Sequence, residues 1–197
     1  MNKIYIVTPC CRQNNLESIK NSIDFSVIHK WYIVYDTSKN RSYQKKYKNH
    51  SQIVELECSD VGRVGHPQRN LALDIIEDGF IYFCDDDNVI HPELYEFLNK
   101  MDKNYYYTFD QLRNKNGDNT DWALFTNEKG KILKGNILKI QFIDTAQFIV
   151  PRNLIGDLRW EDNNYKADGI FIQTINEKYP ESHIYISKTL CYYNYIE

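Results

Sequence analysis

Phe80-Ile81-Tyr82-Phe83-Cys84-Asp85-Asp86-Asp87-Asn88 decides the reading of this chain. Its first residues, apolar and rich in aromatics, predict a short buried strand. The strand ends in three consecutive carboxylates and an amide. Adjacent acids repel one another, so a fold that keeps them together supplies a cation or hydrogen-bond donors. Asp87 lies two residues from Asp85, and oxygen ligands at a strand end suit Mg²⁺ or Mn²⁺, either of which can hold a diphosphate. A solvated acidic loop is the competing reading, and the neighbouring sequence lowers its weight.

Before the triplet, Gly62, Gly65 and Pro67 open a helix that carries Leu71, Leu73, Ile75 and Ile76. After it, Pro92 starts another, with Leu94, Phe97, Leu98 and Met101 on one side. Upstream, Ile4–Val7 reads as a first strand closed by Pro9, and Asn14 or Asn15 caps a helix bearing Leu16, Ile19 and Ile23. Trp31–Tyr35 is a second strand ending at Asp36, and Ile53–Leu56 a weaker third. The first hundred residues thus alternate β-α-β-(α)-β-α-β-α, the bracketed helix falling on a polar, lysine-rich stretch. Such alternation predicts a parallel sheet with helices on both faces, whose ligands bind at the carboxyl ends of the strands. Cys11-Arg12, Asp36, the 62–69 segment and Asp85–Asp87 all stand just after a strand or at a helix start.

The second half changes character. Tyr105–Phe109, Trp122–Thr126, Ile132–Leu133, Ile137–Phe142 and Gln147–Val150 read as short strands with turns at 117–118, 129–130 and 135–136. A helix over 167–177 and a strand near Ile184–Ile186 follow. The 197 residues are expected to form one domain, with a ligand-binding half over 1–103 and a smaller mixed-β half over 104–197.

Hydrophobic content of 42% and charged content of 26% are ordinary for a soluble protein, and a net charge of -3 gives no support to nucleic-acid or anionic-membrane binding. Five cysteines without a C-x-x-C pair fit a reduced, cytoplasmic setting. The apolar run Ile4–Val7 is too short for a signal peptide, and no membrane anchor is expected.

In this light the chain resembles the nucleotide-sugar glycosyltransferases of the GT-A fold. Gly65-His66-Pro67-Gln68-Arg69-Asn70-Leu71-Ala72-Leu73 followed by Ile81–Asn88 is similar to the Q-R-N-L-A-L … Y-F-x-D-D-D-N signature of family 43 glucuronyltransferases. Ile4–Pro9 with Arg12 and Asn15-Leu16 resembles the opening of the fold. Ile143–Phe148 and Asp168–Phe171 resemble its acceptor-side D-x-A-x-F and E-S-x-L segments. Asp168 stands where family 43 has Glu, and the chain is shorter than the animal enzymes, which brings it toward a compact bacterial or viral branch or the broad family 2. The implied fold is a Rossmann-like, mostly parallel sheet flanked by helices, with a mixed acceptor-side portion.

The resemblance implies a UDP-sugar donor of UDP-glucose type, a glycan or glycoconjugate acceptor, and inverting transfer supported by Mn²⁺ or Mg²⁺. Asp87 matches the last acid of the motif and is the expected metal ligand. Asp85 and Asp86 would lie beside the ribose and donor sugar, or cap the Pro92 helix as loop carboxylates. Asp36 would accept the uracil imide N–H, or serve as a turn residue. Pro9 and Arg12 would line base or diphosphate, and Arg69 would pair with a phosphate or with a triplet aspartate. Asp168 matches the family base and would deprotonate the acceptor, although a carboxylate at a helix start is also a good cap. Glu161 and Asp162 are rival bases. Trp160 and Glu161 would form a sugar-binding edge, and Asp144 would contact the acceptor or close a turn. His183 is either a further metal ligand or an ordinary structural residue. A nucleotidyltransferase, an aspartate phosphatase and a non-catalytic sugar-nucleotide-binding module are the alternatives. The first usually needs a glycine-rich loop where Thr8–Arg12 has none.

Overall fold

A computed structural model describes residues 2–38, 41–62, 65–114, 125–127, 130–161, 164–193 and 195–196. Strands β1 (Ile4–Cys10), β2 (Lys30–Asp36), β3 (Ile53–Cys58) and β4 (Phe80–Phe83) run parallel to one another. The chain steps outward from β1 to β2 and β3, then crosses back to place β4 on the other side of β1. That reversal creates a crevice beyond the carboxyl ends of β1 and β4, the place where open α/β sheets bind ligands.

The sheet continues past β4 through β9 (Phe148–Pro151), β6 (Tyr106–Asn114), β10 (His183–Tyr193) and β5 (Val89–Ile90). β9 runs antiparallel to both β4 and β6, so β6 points the same way as β4, and β10 is parallel to β6. The carboxyl ends of β1, β2, β4, β6 and β10 therefore emerge on one edge. Beside β6, β7 (Phe125–Asn127) and β8 (Gly130–Leu133) form a hairpin.

Alternation along the strands splits the apolar residues into two layers. Ile4, Ile6, Trp31, Ile33, Phe80 and Tyr82 face α1 (Leu16–Ser22) and α3 (Tyr95–Leu98), meeting Leu16, Ile19 and Leu98. Tyr5, Val7, Tyr32, Val34, Ile81 and Phe83 face α2 (His66–Ile75) and α5 (Ala167–Lys178), meeting Ala72, Leu73, Phe171 and Ile172. A further single turn, α4 (Arg152–Ile155), follows β9. Burial of each large apolar side chain contributes roughly 1.5–3 kcal/mol, which anchors the strand ends that carry the polar residues.

Several expectations are corrected. Residues 137–142 form turns rather than a strand: Lys139 N–H donates to Ile137 O at 2.9 Å, Phe142 N–H to Lys139 O at 2.9 Å, and Gln141 has φ 75°. The lysine-rich stretch holds no helix among its described residues. The Glu55 carboxylate of β3 takes the Lys46 and Tyr47 amides at 3.0 and 2.9 Å, drawing the backbone away from helical bonding. β6 and β10 extend well past Phe109 and Ile186. The expected turn at 117–118 and most of the Trp122–Thr126 strand lie outside the described residues, and Lys129 of the 129–130 turn does too.

Candidate active site

The triplet is held open by cations and amides, as the repulsion between its charges requires. Asp86 is buried, and its Oδ2 accepts the backbone N–H groups of Cys11 and Arg12 at 2.7 and 2.6 Å. Arg12 Nε donates to Asp86 Oδ1 at 2.8 Å, and Arg12 Nη2 lies 2.8 Å from Asp87 Oδ2. Asn15, expected as a helix cap, instead donates from Nδ2 to Asp86 O at 2.8 Å. The middle acid thus ties the loop after β1 to the loop after β4.

Asp85 is bonded by Arg69 Nη2 from α2. Gly65 starts that helix at φ 78°, and a Cβ there would meet Pro9 Cβ at 2.4 Å. Glycine is required both for the left-handed turn and for the close approach to β1. Burial pushes the Asp85 carboxyl up to about 7, with Asp144, Asp87 and Asp168 reinforcing it against the pull of Arg69. Burial likewise raises Asp87, which Arg12 opposes.

Arg12 and the three acids line a cavity of about 560 Å³ together with Pro9, Asp36, Gly62 and Gln68, whereas Arg69 is fully buried behind Asp85 and does not line it. Asp36, at the end of β2, accepts from Ser38 N–H and Oγ at 3.0 and 2.5 Å, leaving Oδ2 with Arg41 Nη1 4.0 Å away. Asp87 and Asp85 offer hard oxygen donors suited to Mg²⁺ or Mn²⁺. Among the described residues no group of three or more His, Cys, Asp or Glu is arranged to hold a metal by itself. A cation held by these two carboxylates would take the rest of its shell from ligand phosphates and water, as Mg²⁺ commonly does.

A second cavity, about 400 Å³, is lined by Arg113, Gln141, Asp144, Asp168 and Gly169. Tyr165 and Tyr193 line both cavities. Asp168 stands in the first turn of α5, and Gly169 lets that turn close on the 140–141 segment, since a Cβ there would meet Ile140 Cα at 2.5 Å. Burial raises the Asp168 carboxyl to about 6, and Asp144 adds to the rise, against Arg69, a hydrogen bond with Thr145 and Arg113. A carboxylate of that proton affinity is suited to general-base work near neutral pH. Asp144 caps the short helix Thr145–Gln147 and accepts from Gln111 Nε2 at 2.9 Å and Arg113 Nη2 at 3.1 Å. It closes a turn and also faces the cavity.

Three expected site residues lie elsewhere. Trp160 is 3% exposed, stacked on Phe171 at 4.4 Å with its ring against Phe83, so it is core rather than a sugar-binding edge. Glu161 is exposed, bonded by Asn164, and lines neither cavity; Asp162 lies outside the described residues. His183 begins β10 at the opposite edge of the sheet, stacked on Tyr106 at 5.0 Å and bonded to Thr108 Oγ1 at 2.7 Å. Conversely, Arg113 and Tyr193 stand on the parts of β6 and β10 that run beyond the predicted strands. Tyr165 had no local signal at all.

A sequence model described as glycosyl transferase family 2 matches residues 11–163. No curated protein sequence matches the chain. Among solved structures, S. aureus TarS 1-349 superposes with TM-score 0.65 at 16% identity, covering 98% of this chain and 60% of that one. Longer S. aureus TarS gives TM-score 0.70 at 16% identity over 98% of this chain and 36% of that one. TarS 1-349 in complex with UDP-GlcNAc gives 0.64 at 18% identity, over 96% and 58%. The chain therefore spans at most about three-fifths of these structures and shares their GT-A fold. The match is to family 2, so the family 43 comparison stays a likeness of motif.

Proposed function

The chain belongs to glycosyl transferase family 2, and from that premise we propose that it transfers a sugar from a UDP-sugar to a glycan or glycoconjugate hydroxyl, with inversion. The observation that carries this is a pair of cavities that share Tyr165 and Tyr193 in their linings. One is walled by strand-end acids and arginines, and the other holds a carboxylate of raised proton affinity. The structural neighbours that bind UDP and UDP-GlcNAc support the donor class.

In this reading Asp36 accepts the uracil imide N–H, while Pro9 packs against the base. Arg12 faces the diphosphate, while Arg69, buried behind the cavity wall, holds Asp85 toward the ribose and sugar hydroxyls. Asp86 holds the loop that carries Arg12. Asp87 would hold Mg²⁺ or Mn²⁺, which when bound neutralises charge on the departing diphosphate. Asp168 removes the acceptor proton, and Asp144 with Arg113 forms the wall against which the acceptor lies. In this reading the acceptor enters from the Asp168 side, and attack from the face opposite UDP inverts the anomeric carbon.

The test is UDP release from UDP-sugars, UDP-GlcNAc first, over a panel of glycan acceptors. The parent turns over, and Asp168→Asn loses roughly a hundredfold or more while still binding UDP. Parental turnover in Asp168→Asn would overturn the assignment of the base.

A further inference from the structure

Arg12 makes two commitments with one guanidinium. Its Nε bonds Asp86 Oδ1 at 2.8 Å, and its Nη2 lies 2.8 Å from Asp87 Oδ2. The Arg12 side chain is 48% exposed, whereas that of Asp87 is only 11% exposed. The carboxylate offered to a cation is thus already paired, by a group whose own flank opens into the 560 Å³ cavity. Meanwhile the two backbone amides on Asp86 Oδ2 hold the loop in place without help from the side chain.

Resting on the nucleotide reading above, we propose that Arg12 is an exchangeable counter-ion. It occupies Asp87 in the free protein and transfers its Nη2 to the diphosphate when a nucleoside diphosphate enters, which frees Asp87 for a divalent cation. The physical grounds are charge and geometry. A guanidinium and a divalent cation compete for one buried carboxylate, and neither leaves it unpaired without a large penalty. A planar fork suits phosphate as well as carboxylate, so the diphosphate gives Arg12 an equivalent partner. It also brings the oxygens that the cation's shell needs. Nε can stay on Asp86 as a pivot throughout. Cation and nucleotide then bind as a coupled pair, each raising the affinity of the other by the same factor.

The experiment is a Mn²⁺ binding isotherm on the full chain, read by the paramagnetic resonance of free Mn²⁺, with and without UDP. In the parent, UDP raises Mn²⁺ affinity by about tenfold or more, the scale of one charge-assisted contact. Arg12→Gln binds Mn²⁺ more tightly than the parent without nucleotide, and its gain on adding UDP, now from the phosphate oxygens alone, is smaller than the parent's. Arg12→Gln binding Mn²⁺ no tighter than the parent in the absence of UDP overturns the exchange. Calorimetry of UDP without metal gives a second arm that does not depend on how that variant folds. Asp87→Asn releases Arg12 and binds metal-free UDP more tightly than the parent, and equal or weaker binding overturns the proposal. Should the parent and Asp87→Asn both fail to bind UDP under every condition, the nucleotide reading falls, and the exchange with it. Normal UDP and Mn²⁺ binding in the parent, with no effect of either variant, removes the exchange alone.

Discussion

Arg69 rests on Trp160. The guanidinium carbon lies 4.9 Å from the indole ring centre, while Nη2 is bonded to Asp85. The ring is itself fixed, stacked 4.4 Å from Phe171 and nearly parallel to it at 6°. An apolar stack thus aims a cation at the first acid of the triplet, and core packing sets the geometry of the polar site.

Trp160→Ala should therefore damage two properties together. Loss of a buried tryptophan destabilises by about 3–5 kcal/mol, read as a lower urea midpoint. UDP affinity should fall in the surviving folded fraction, because Arg69 loses the face it lies on. Trp160→Phe, which keeps an aromatic face, should restore most of both. A change in stability with no change in UDP affinity would separate Trp160 from the site.

Asp86→Ala should act through the loop rather than through any ligand. It strips acceptors from two backbone amides and from Arg12 Nε. Leaving such donors unpaired costs about 1–3 kcal/mol each where they are buried. Lower thermal stability with and without UDP is expected. An unchanged melting temperature would show that the loop stands without this carboxylate.

Asp36→Ala should weaken UDP and relax the preference for it over CDP and GDP. A site that hydrogen-bonds one base edge rejects analogues lacking that group. Competition calorimetry with the three diphosphates reads this directly. Identical selectivity in variant and parent would move base recognition elsewhere in the cavity.

Asp168 makes an opposed prediction for rate and stability. Its carboxyl is raised from the ordinary range to about 6 by burial, with Asp144 adding. As pH falls through about 6 the base becomes protonated, so kcat/KM should drop on that limb. The stability sign is the reverse. The folded state binds this proton more tightly than the unfolded chain, so its contribution is present at low pH and is lost as pH rises through about 6. Asp168→Asn should accordingly melt higher than the parent at pH 8 and little differently at pH 4. With partial solvent access, a gain of about 1 kcal/mol, or roughly 2–4 °C, is the expected scale. A lower melting temperature at pH 8 would mean that the ionised carboxylate stabilises the fold.

Much of this architecture was legible in the sequence, for local reasons. Runs such as Ile4–Val7 and Phe80–Phe83 alternate between two apolar layers, so their strands and the edge they present follow from side-chain period alone. The acids placed at those strand ends were found for the same reason. What escaped depends on distance. Asp86 and Asp87 look alike in sequence and both line the cavity, and only the approach of the loop after β1 makes Asp86 the acceptor of the loop amides. Trp160 with Glu161 and Asp162 has the pattern of a sugar-binding edge, yet Phe83, Phe148 and Phe171 converge on it from three other segments. The 137–142 segment has a strand-like pattern, but its amides bond within the segment, Lys139 to Ile137 and Phe142 to Lys139, and α5 packs closely on it at Gly169.

The central claim is that a uridine diphosphate, with its cation, occupies the cavity at the ends of β1, β2 and β4. Calorimetry of UDP against the full chain, with Mn²⁺ present and then removed by chelator, tests it most directly. The parent should bind saturably with Mn²⁺ and lose about tenfold or more without it, whereas Asp87→Ala should fold normally and bind UDP with one unchanged affinity in both conditions. No binding of UDP by the parent, or binding that keeps its Mn²⁺ dependence in Asp87→Ala, would contradict the account.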